Sequence, residues 1–458
     1  MADASSRPLH VVILAAGQGT RMRSDLPKVL HPLAGRPLLR HVVDTALGLG
    51  PAAVHVVHGH GGDRVRSALA DVPVTWVEQG EQLGTGHAVQ QALPAIPDDA
   101  SVLVLYGDVP LVRAETMTNL VAAAADGAAV LTTELADPGG YGRVIRDADG
   151  SVARIVEDKD ATPDERAVRE TNTGLMAAPA GRLRGWLARC GNDNVQGEYY
   201  LTDVVALARS DGEAVHAAVA ADPEEVAGVN DRVQLQTAER AYQYRQAQEL
   251  MRAGLGLVDA GRFDLRGSLA FGRDCSIDVG VVLEGRVVLG DGVSIGPYSV
   301  LRDTVVEDGA TVDSHTIAEQ AHIGAGAQVG PYARLRPGTE LRAGARVGNF
   351  VETKKAVIGP GSKVNHLSYI GDAELGRDVN VGAGTITCNY DGSEKHRTVI
   401  EDGAFIGSDS QLVAPVRVGA GAFLGAGTTL TRDTEPESLT VTRAPQRSVP
   451  GWARRRRE

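Results

Sequence analysis

Aliphatic residues recur at every sixth position through the C-terminal half of this chain, usually followed by Gly, Glu, Asp or Arg. Ile277, Leu283, Leu289, Ile295 and Leu301 form one run, and Ile323, Val329, Leu335, Leu341 and Val347 a second. Ile400, Ile406, Leu412, Val418, Leu424 and Leu430 form a third. A short fixed period of this kind predicts a parallel β-helix, because one repeat cannot bury its apolar residue alone and must stack on the next. Repeats of this type coil left-handed, against the usual hand of crossovers. The beat covers residues 265–435. With three six-residue sides to a coil, it predicts about nine coils stacked at about 4.8 Å, a prism about 40 Å long. It is otherwise strict but fails after Val381, where residues 385–398 cannot fit a six-residue side. That predicts a looped-out insertion, a usual carrier of function.

The N-terminal half has no such beat. Leu9–Leu14 is an unbroken apolar run that reads as a buried strand, and it enters the turn Ala15-Ala16-Gly17-Gln18-Gly19. Pro37–Leu47 has helical spacing, while Val54–Val57 and Val102–Tyr106 read as short strands, the last stopping at Gly107-Asp108. This alternation predicts an α/β domain with a mixed, mostly parallel sheet covered by helices. Ligands of such sheets bind beyond the carboxyl ends of strands, where Gly17 and Asp108 fall. Val233–Arg252 lacks Gly and Pro and reads as a connecting helix that stops near Gly254. The expected division is 1–232, a linker helix 233–253, and 254–458 with a C-terminal tail.

Composition sharpens this picture. At 458 residues and 48.0 kDa the chain is too long for one core. Only 4% of residues are aromatic, which suits a solenoid packed with Val, Leu, Ile and Ala, and 55 glycines suit a turn in every repeat. A net charge of −12 argues against a general nucleic-acid binder. The run Arg454–Arg457 reads first as a solvated end and second as a binding patch. Cys190, Cys275 and Cys388 lie far apart without metal-ligand spacing, the pattern of a reduced, cytoplasmic protein. No apolar stretch approaches the ~20 residues that span a bilayer, so no membrane insertion is expected.

The turn after the first strand is followed by Arg21 and Lys28. Its backbone N–H groups and these two cations make a cradle for a polyphosphate. A Gly-rich turn alone is often only a tight turn. Met22 stands where a dinucleotide fingerprint has its third glycine, and no Gly-Lys-Ser/Thr follows, so nicotinamide and P-loop readings are disfavoured. The longer string is more specific: Leu14-Ala-Ala-Gly-Gln-Gly-Thr-Arg-Met22, Pro27-Lys28, Gln82-Leu-Gly-Thr-Gly-His87 and Tyr106-Gly-Asp-Val-Pro-Leu111. It resembles the sugar-nucleotide pyrophosphorylases. With the hexapeptide half attached, residues 8–445 are similar to the bacterial bifunctional N-acetylglucosamine-1-phosphate uridyltransferase/glucosamine-1-phosphate acetyltransferase family.

The resemblance implies a Rossmann-like nucleotidyltransferase domain followed by a left-handed β-helix acetyltransferase. It implies acetyl transfer from acetyl-CoA to glucosamine 1-phosphate, then uridylyl transfer from UTP to N-acetylglucosamine 1-phosphate with release of pyrophosphate. The second step joins strongly anionic reactants, so alignment and charge neutralisation must dominate. Mg²⁺ takes few carboxylates and completes its shell with phosphate oxygens, and Asp108 at a strand end suits that task. By resemblance Asn230 is the second protein ligand, Arg21 and Lys28 hold the triphosphate, and Gln79, Gly84 and Thr85 read the uracil near Leu14, Ala15, Ala16 and Gly17. Tyr106, Gly107, Gly142, Glu157 and Asn172 complete the nucleotide-sugar site. Taken alone, Asp108 also reads as a turn cap, Asn230 as the N-cap of the linker helix, and Glu157 as part of a solvated cluster with Asp158 and Lys159. Position 18 is Gln where the family often has Lys.

In the β-helix the residues that break the rule are the informative ones. His366 has Arg336, Lys354, Tyr369 and Asn380 near it in sequence or one coil away. A histidine suits the base that takes a proton from an amine attacking a thioester. By resemblance Arg336 and Lys354 bind the sugar phosphate, and Tyr369 and Asn380 its hydroxyls. Acetyl-CoA is expected along Ala383, Asn389, Tyr390, Ser408, Ala426 and Arg443, and the resemblance implies sites formed between the chains of a homotrimer. Taken alone, His366 reads as a surface histidine at a coil corner. His315, His322 and His396 lack comparable company and stay unassigned. Two other readings are a nucleotidyltransferase on an inert β-helical scaffold and a noncatalytic interaction protein. His366 and the Asn389-Tyr390 loop speak against the first, and Lys28, Asp108 and Asn230 against the second.

Overall fold

The computed structural model describes residues 7–17, 19–59 and 61–452, so Gln18 and the Arg454–Arg457 run lie outside the described residues. The chain divides into two compact units, one ending at Tyr242 and the other starting at Gln243. The division falls inside the helix Arg232–Arg252, which has a different job at each end. Ala238 joins a small core with Leu33, Leu38, Leu111 and Val229 of the first unit, and Ala247 joins the core of the second.

In the first unit nine strands among the described residues form one sheet. They are β1 (Leu9–Ala15), β2 (Ala53–His58), β3 (Thr75–Glu78), β4 (Ser101–Tyr106), β5 (Ala128–Glu134), β6 (Arg143–Arg146), β7 (Val152–Val156), β8 (Glu170–Pro179) and β9 (Val215–Val219). The order is β9-β5-β8-β4-β1-β2-β3, with the β6-β7 hairpin attached to β8. β1 runs parallel to β2 and β4, while β8 is antiparallel to β4 and β5. The apolar run of β1 is explained by cover on both faces. Val12 packs with Val57, Val102 and Val104 in one core, and Val11 and Ile13 with Val56, Leu103 and Leu105 in another. Register pairs Leu14 with Tyr106, and Gly107 N–H donates to Leu14 O at 2.9 Å. Two strand ends therefore open side by side.

The second unit is the parallel β-helix that the six-residue beat predicts. One face is an 11-stranded ladder from Gly256–Leu257 to Leu439–Thr440, longer than the nine coils expected because a coil is added beyond each end of the regular beat. At about 4.8 Å per step this ladder is roughly 50 Å long. The residues of the beat are its dry interior: Ile277, Leu283, Ile323, Leu335, Ile406 and Leu424 are all buried. The open first coil is closed by Gln243, whose side chain accepts from Leu265 N–H at 2.8 Å and donates to Leu265 O at 3.2 Å.

The repeat is less strict than its sequence suggests. Leu283 pairs with Leu301, eighteen residues on, but Val306 pairs with Ile323, only seventeen on. Four sides are one residue short, and each turns its corner on a non-glycine residue with positive φ: Asp303 (46°), Gln320 (45°), Lys355 (44°) and Asp372 (45°). The insertion is also tighter than residues 385–398. Ile386–Cys388 stays in the ladder, paired with Tyr369 and Gln411, so the looped-out segment is 389–397. Among the described residues no helix is long and apolar enough to cross a membrane.

Candidate active sites

The side-by-side ends of β1 and β4 form the floor of a cavity of about 370 Å³. Leu14, Ala15, Ala16, Gly17, Lys28, Gln79, Gly84, Thr85, Tyr106, Asp108 and Asn230 line it, as do Val29, Gln82, Ala88 and Glu198. Lys28 forms an ion pair with Asp108, both side chains being mostly buried, and donates to Asn230 Oδ1 at 3.1 Å. Arg21 donates to the same oxygen at 3.3 Å. One ammonium thus reaches both the Asp108 carboxylate and the Asn230 amide oxygen. A small cation in that place would be held by Asp108 and Asn230. Val229 N–H donates to Asp108 O at 2.8 Å, tying the segment before the helix to the end of β4. The helix N-cap is Asp231, whose carboxylate accepts from Gln234 N–H at 2.8 Å, so Asn230 is free of that duty.

The far end of the cavity is held by amides. Gln79 donates to Gly84 O at 3.1 Å, and Gln82 donates to Ala16 O. Gly84 has φ 110°, and a Cβ there would meet Tyr199 O at 2.6 Å. Thr85 Oγ1 accepts from Leu201 N–H at 3.0 Å. Gly107 does not line the cavity; a Cβ there would press on Leu39 at 3.0 Å, so it packs the floor from below.

Gly142, Glu157 and Asn172 gather beside this cavity rather than in its lining. Asn172 N–H donates to Gly142 O at 2.8 Å, and a Cβ on Gly142 would lie 3.5 Å from Glu157 Oε2. They approach the cavity across Tyr106. β8 bulges between Asn172 and Met176, and Gly174 there has φ 87°; a Cβ would strike the Tyr106 ring at 2.6 Å, so only glycine fits. Burial pushes the Tyr106 phenol up, with the charges of Glu157 and Asp108 adding to the rise, so it stays a neutral donor. Burial also raises the Glu157 carboxyl. Thr202 donates to it at 3.2 Å and offsets part of that, while Asp160, Asp203 and Asp158 push it further up. Glu157 is not part of a solvated cluster.

In the β-helix, His366 ends the strand Lys363–His366 at a coil corner, with Nδ1 2.9 Å from Asn349 Oδ1. The register that stacks Lys363, Asn380, Phe405 and Phe423 also stacks His366, Ala383, Ser408 and Ala426, three positions on. Asp409 N–H donates to Ala383 O at 2.7 Å and Gly427 N–H to Ser408 O at 2.8 Å. Arg443 donates to Ala426 O. These small residues make a shallow edge running away from the histidine. Asn380 lies on the 11-stranded face, whereas Tyr369 and Lys354 lie on the adjoining ladder beyond the corner. Arg336 pairs with Glu352 at 2.8 Å. Lys395 of the insertion lies against Lys354, and the proximity of the two cations lowers the Lys354 ammonium. Asn389, buried, donates to the Asp372 carboxylate and lies 3.5 Å from the Tyr369 hydroxyl. Tyr390 is exposed and donates to Gly392 O at 2.7 Å.

The three unassigned histidines do have partners, and they read as structural. His322 meets Glu307 at 2.6 Å, His396 meets Asp391 at 2.7 Å, and His315 stacks on Tyr332 and lies tilted against Tyr298. Several site neighbours escaped the sequence reading. Gln82 opens the Gln82–His87 motif, and Asn349 lies one seventeen-residue coil before His366, a signal that the period itself carries. Glu198, Glu352, Asp372 and Lys395 carried none.

Comparison with known proteins follows the same division. Residues 11–170 match the MobA-like NTP transferase domain, and residues 397–432 match the bacterial transferase hexapeptide (six repeats). The bifunctional protein GlmU of Alkalilimnicola ehrlichii is 65% identical over 446 residues, covering 97% of this chain and 96% of its own. This chain belongs to the bifunctional GlmU family. The GlmU proteins of Methylococcus capsulatus (59% identical, 97% of this chain and 96% of its own) and Marinobacter nauticus (56%, 98% and 99%) agree along the whole length. The family joins a nucleotidyltransferase of Rossmann-like fold to a left-handed β-helix of hexapeptide repeats, and this chain is a transferase of that design.

Proposed function

We propose that the two sites divide the synthesis of UDP-N-acetylglucosamine, a precursor for cell-wall synthesis, as follows. At the β-helix corner the amine of glucosamine 1-phosphate attacks the thioester carbonyl of acetyl-CoA. A C–N bond forms, the C–S bond breaks, coenzyme A leaves, and His366 takes the amine proton. Arg336 and Lys354 meet the sugar phosphate, with Tyr369 and Asn380 on its hydroxyls. Acetyl-CoA follows the small-residue edge of Ala383, Ser408 and Ala426 to Arg443, with Asn389 and Tyr390 beside it. In the N-terminal cavity a phosphate oxygen of N-acetylglucosamine 1-phosphate attacks the α-phosphorus of UTP, and pyrophosphate departs. Arg21 and Lys28 steady the triphosphate, and Glu157, Asn172, Gly142 and Tyr106 hold the sugar. Asp108 and Asn230 would hold Mg²⁺, which when bound neutralises charge on the phosphate oxygens. The chain works as a cytoplasmic homotrimer in this reading.

The observation that carries the uridylyl step is the meeting of Lys28 with both Asp108 and Asn230 inside the cavity. Two assays on the whole protein test the scheme. One follows pyrophosphate release from UTP and N-acetylglucosamine 1-phosphate, with and without Mg²⁺. The other follows thiol release from acetyl-CoA and glucosamine 1-phosphate. Asp108→Ala is expected to abolish the first and spare the second, and His366→Ala the reverse. Thiol release near wild type in His366→Ala would remove the base from the scheme. No thiol release from the wild-type protein would favour the inert-scaffold reading.

A further inference from the structure

A catalytic histidine is useful in one tautomer only. For His366 to take a proton through Nε2, that nitrogen must carry the lone pair, so the ring proton must sit on Nδ1. Among the described residues Nδ1 has one hydrogen-bond partner, the side-chain oxygen of Asn349 at 2.9 Å, and Nε2 has none. Asn349 ends the strand Arg346–Asn349 and is the register neighbour of His366 one coil below. The backbone holds this pairing on both sides. Leu367 N–H donates to Asn349 O at 3.1 Å, and Ser368 Oγ donates to His366 O at 2.8 Å.

From this geometry we infer that Asn349 is the positioning residue that holds His366 with its proton on Nδ1 and Nε2 open to substrate. The inference rests on the reading of His366 as the base. An amide is a fitting partner for this role: its oxygen accepts from Nδ1–H and places no charge beside the ring. Asn349 forms no bond with substrate in this scheme and acts through the ring alone. The amide could also be turned to present its Nδ2–H₂ to Nδ1. That arrangement would fix the opposite tautomer and leave Nε2 protonated.

Three variants of the full chain separate these cases. Asn349→Asp keeps the acceptor and adds charge. It should retain thiol release while moving the ascending limb of its pH profile to higher pH. Asn349→Leu removes the acceptor. It should lower kcat on the order of tenfold or more, part of the 10²–10⁴ that a positioned base supplies, with little change in KM. In ¹⁵N spectra of ring-labelled protein, the His366 signal should report protonated Nδ1 in the wild type and a tautomer mixture in Asn349→Leu. Loss of activity in Asn349→Asp with an unchanged limb, or a wild-type ring protonated on Nε2, would overturn the proposal. His366→Ala is the separate control. If that variant keeps thiol release, the base assignment fails; if it loses it while Asn349→Leu is unaffected, only the positioning role fails.

Discussion

Single residues here are set by what surrounds them more than by their type. Glu157 is the clearest case: next to Asp158 and Lys159 in sequence it looks solvated, yet burial lifts its carboxyl above the ordinary range. A raised folded value means the folded protein holds a proton that the unfolded chain has released. Stability therefore falls as pH rises through the window from the ordinary carboxylate range to the raised value, and below that range Glu157 contributes nothing. Glu157→Gln can still accept from Thr202, so it should melt above wild type at neutral pH. The gap should close below about pH 4. Thermal melts across that range check this, and a gap independent of pH would contradict it. The same variant should bind the sugar phosphate less well. Asp391 has the opposite sign. It accepts from Glu394 N–H, Ser393 N–H and His396, which hold its carboxyl well below the usual range, so its support of the insertion is lost only in strong acid.

At the scale of elements, the corners of the β-helix decide where the six-residue beat holds. The apolar run that stops at Leu301 and the one that restarts at Ile323 belong to one continuous coil but to adjoining ladders, and the short sides at Asp303 and Gln320 lie between them. The drop from six to five between Leu301 and Val306 was readable, but only a structure explains it as an αL corner. Glycine corners differ among themselves. Gly267, with φ 156°, has Gly285 O 2.0 Å from where a Cβ would go, whereas Gly292, with φ 66°, has open space. Gly292→Ala should lose about 1–2 kcal/mol from backbone strain alone. Gly267→Ala should lose more, because neighbouring backbone must also move. Melting temperatures of the second unit compare the two directly, and equal losses would contradict the expectation.

For the molecule as a whole, two units with separate cores imply two activities that fail independently, as the paired assays would show. Assembly is the other question at this scale. The insertion 389–397 places Tyr390 outward and exposed, and Tyr298, Tyr332 and Phe350 stand exposed in one stacked corner column. If the acetyltransferase site is completed between chains, sedimentation of the active protein should give three times the 48.0 kDa chain mass. Tyr390→Ala should then weaken thiol release and leave pyrophosphate release intact. Full thiol release from a species of one chain mass would refute that assembly.

Local pattern alone determined that this chain is an α/β domain followed by a stacked hexapeptide coil, because both periods are set by which side chains must leave water. It also marked the strand-end turns, since glycine and apolar runs are local signals. Tertiary structure decided what those signals could not carry. The approach of Asn230 to Asp108 across more than a hundred residues depends on a chain path, not a motif, and so does the choice of Asp231 rather than Asn230 as helix cap. The burial of Glu157 and the contact of Lys395 with Lys354 likewise arise between elements distant in sequence, where no period or spacing reaches.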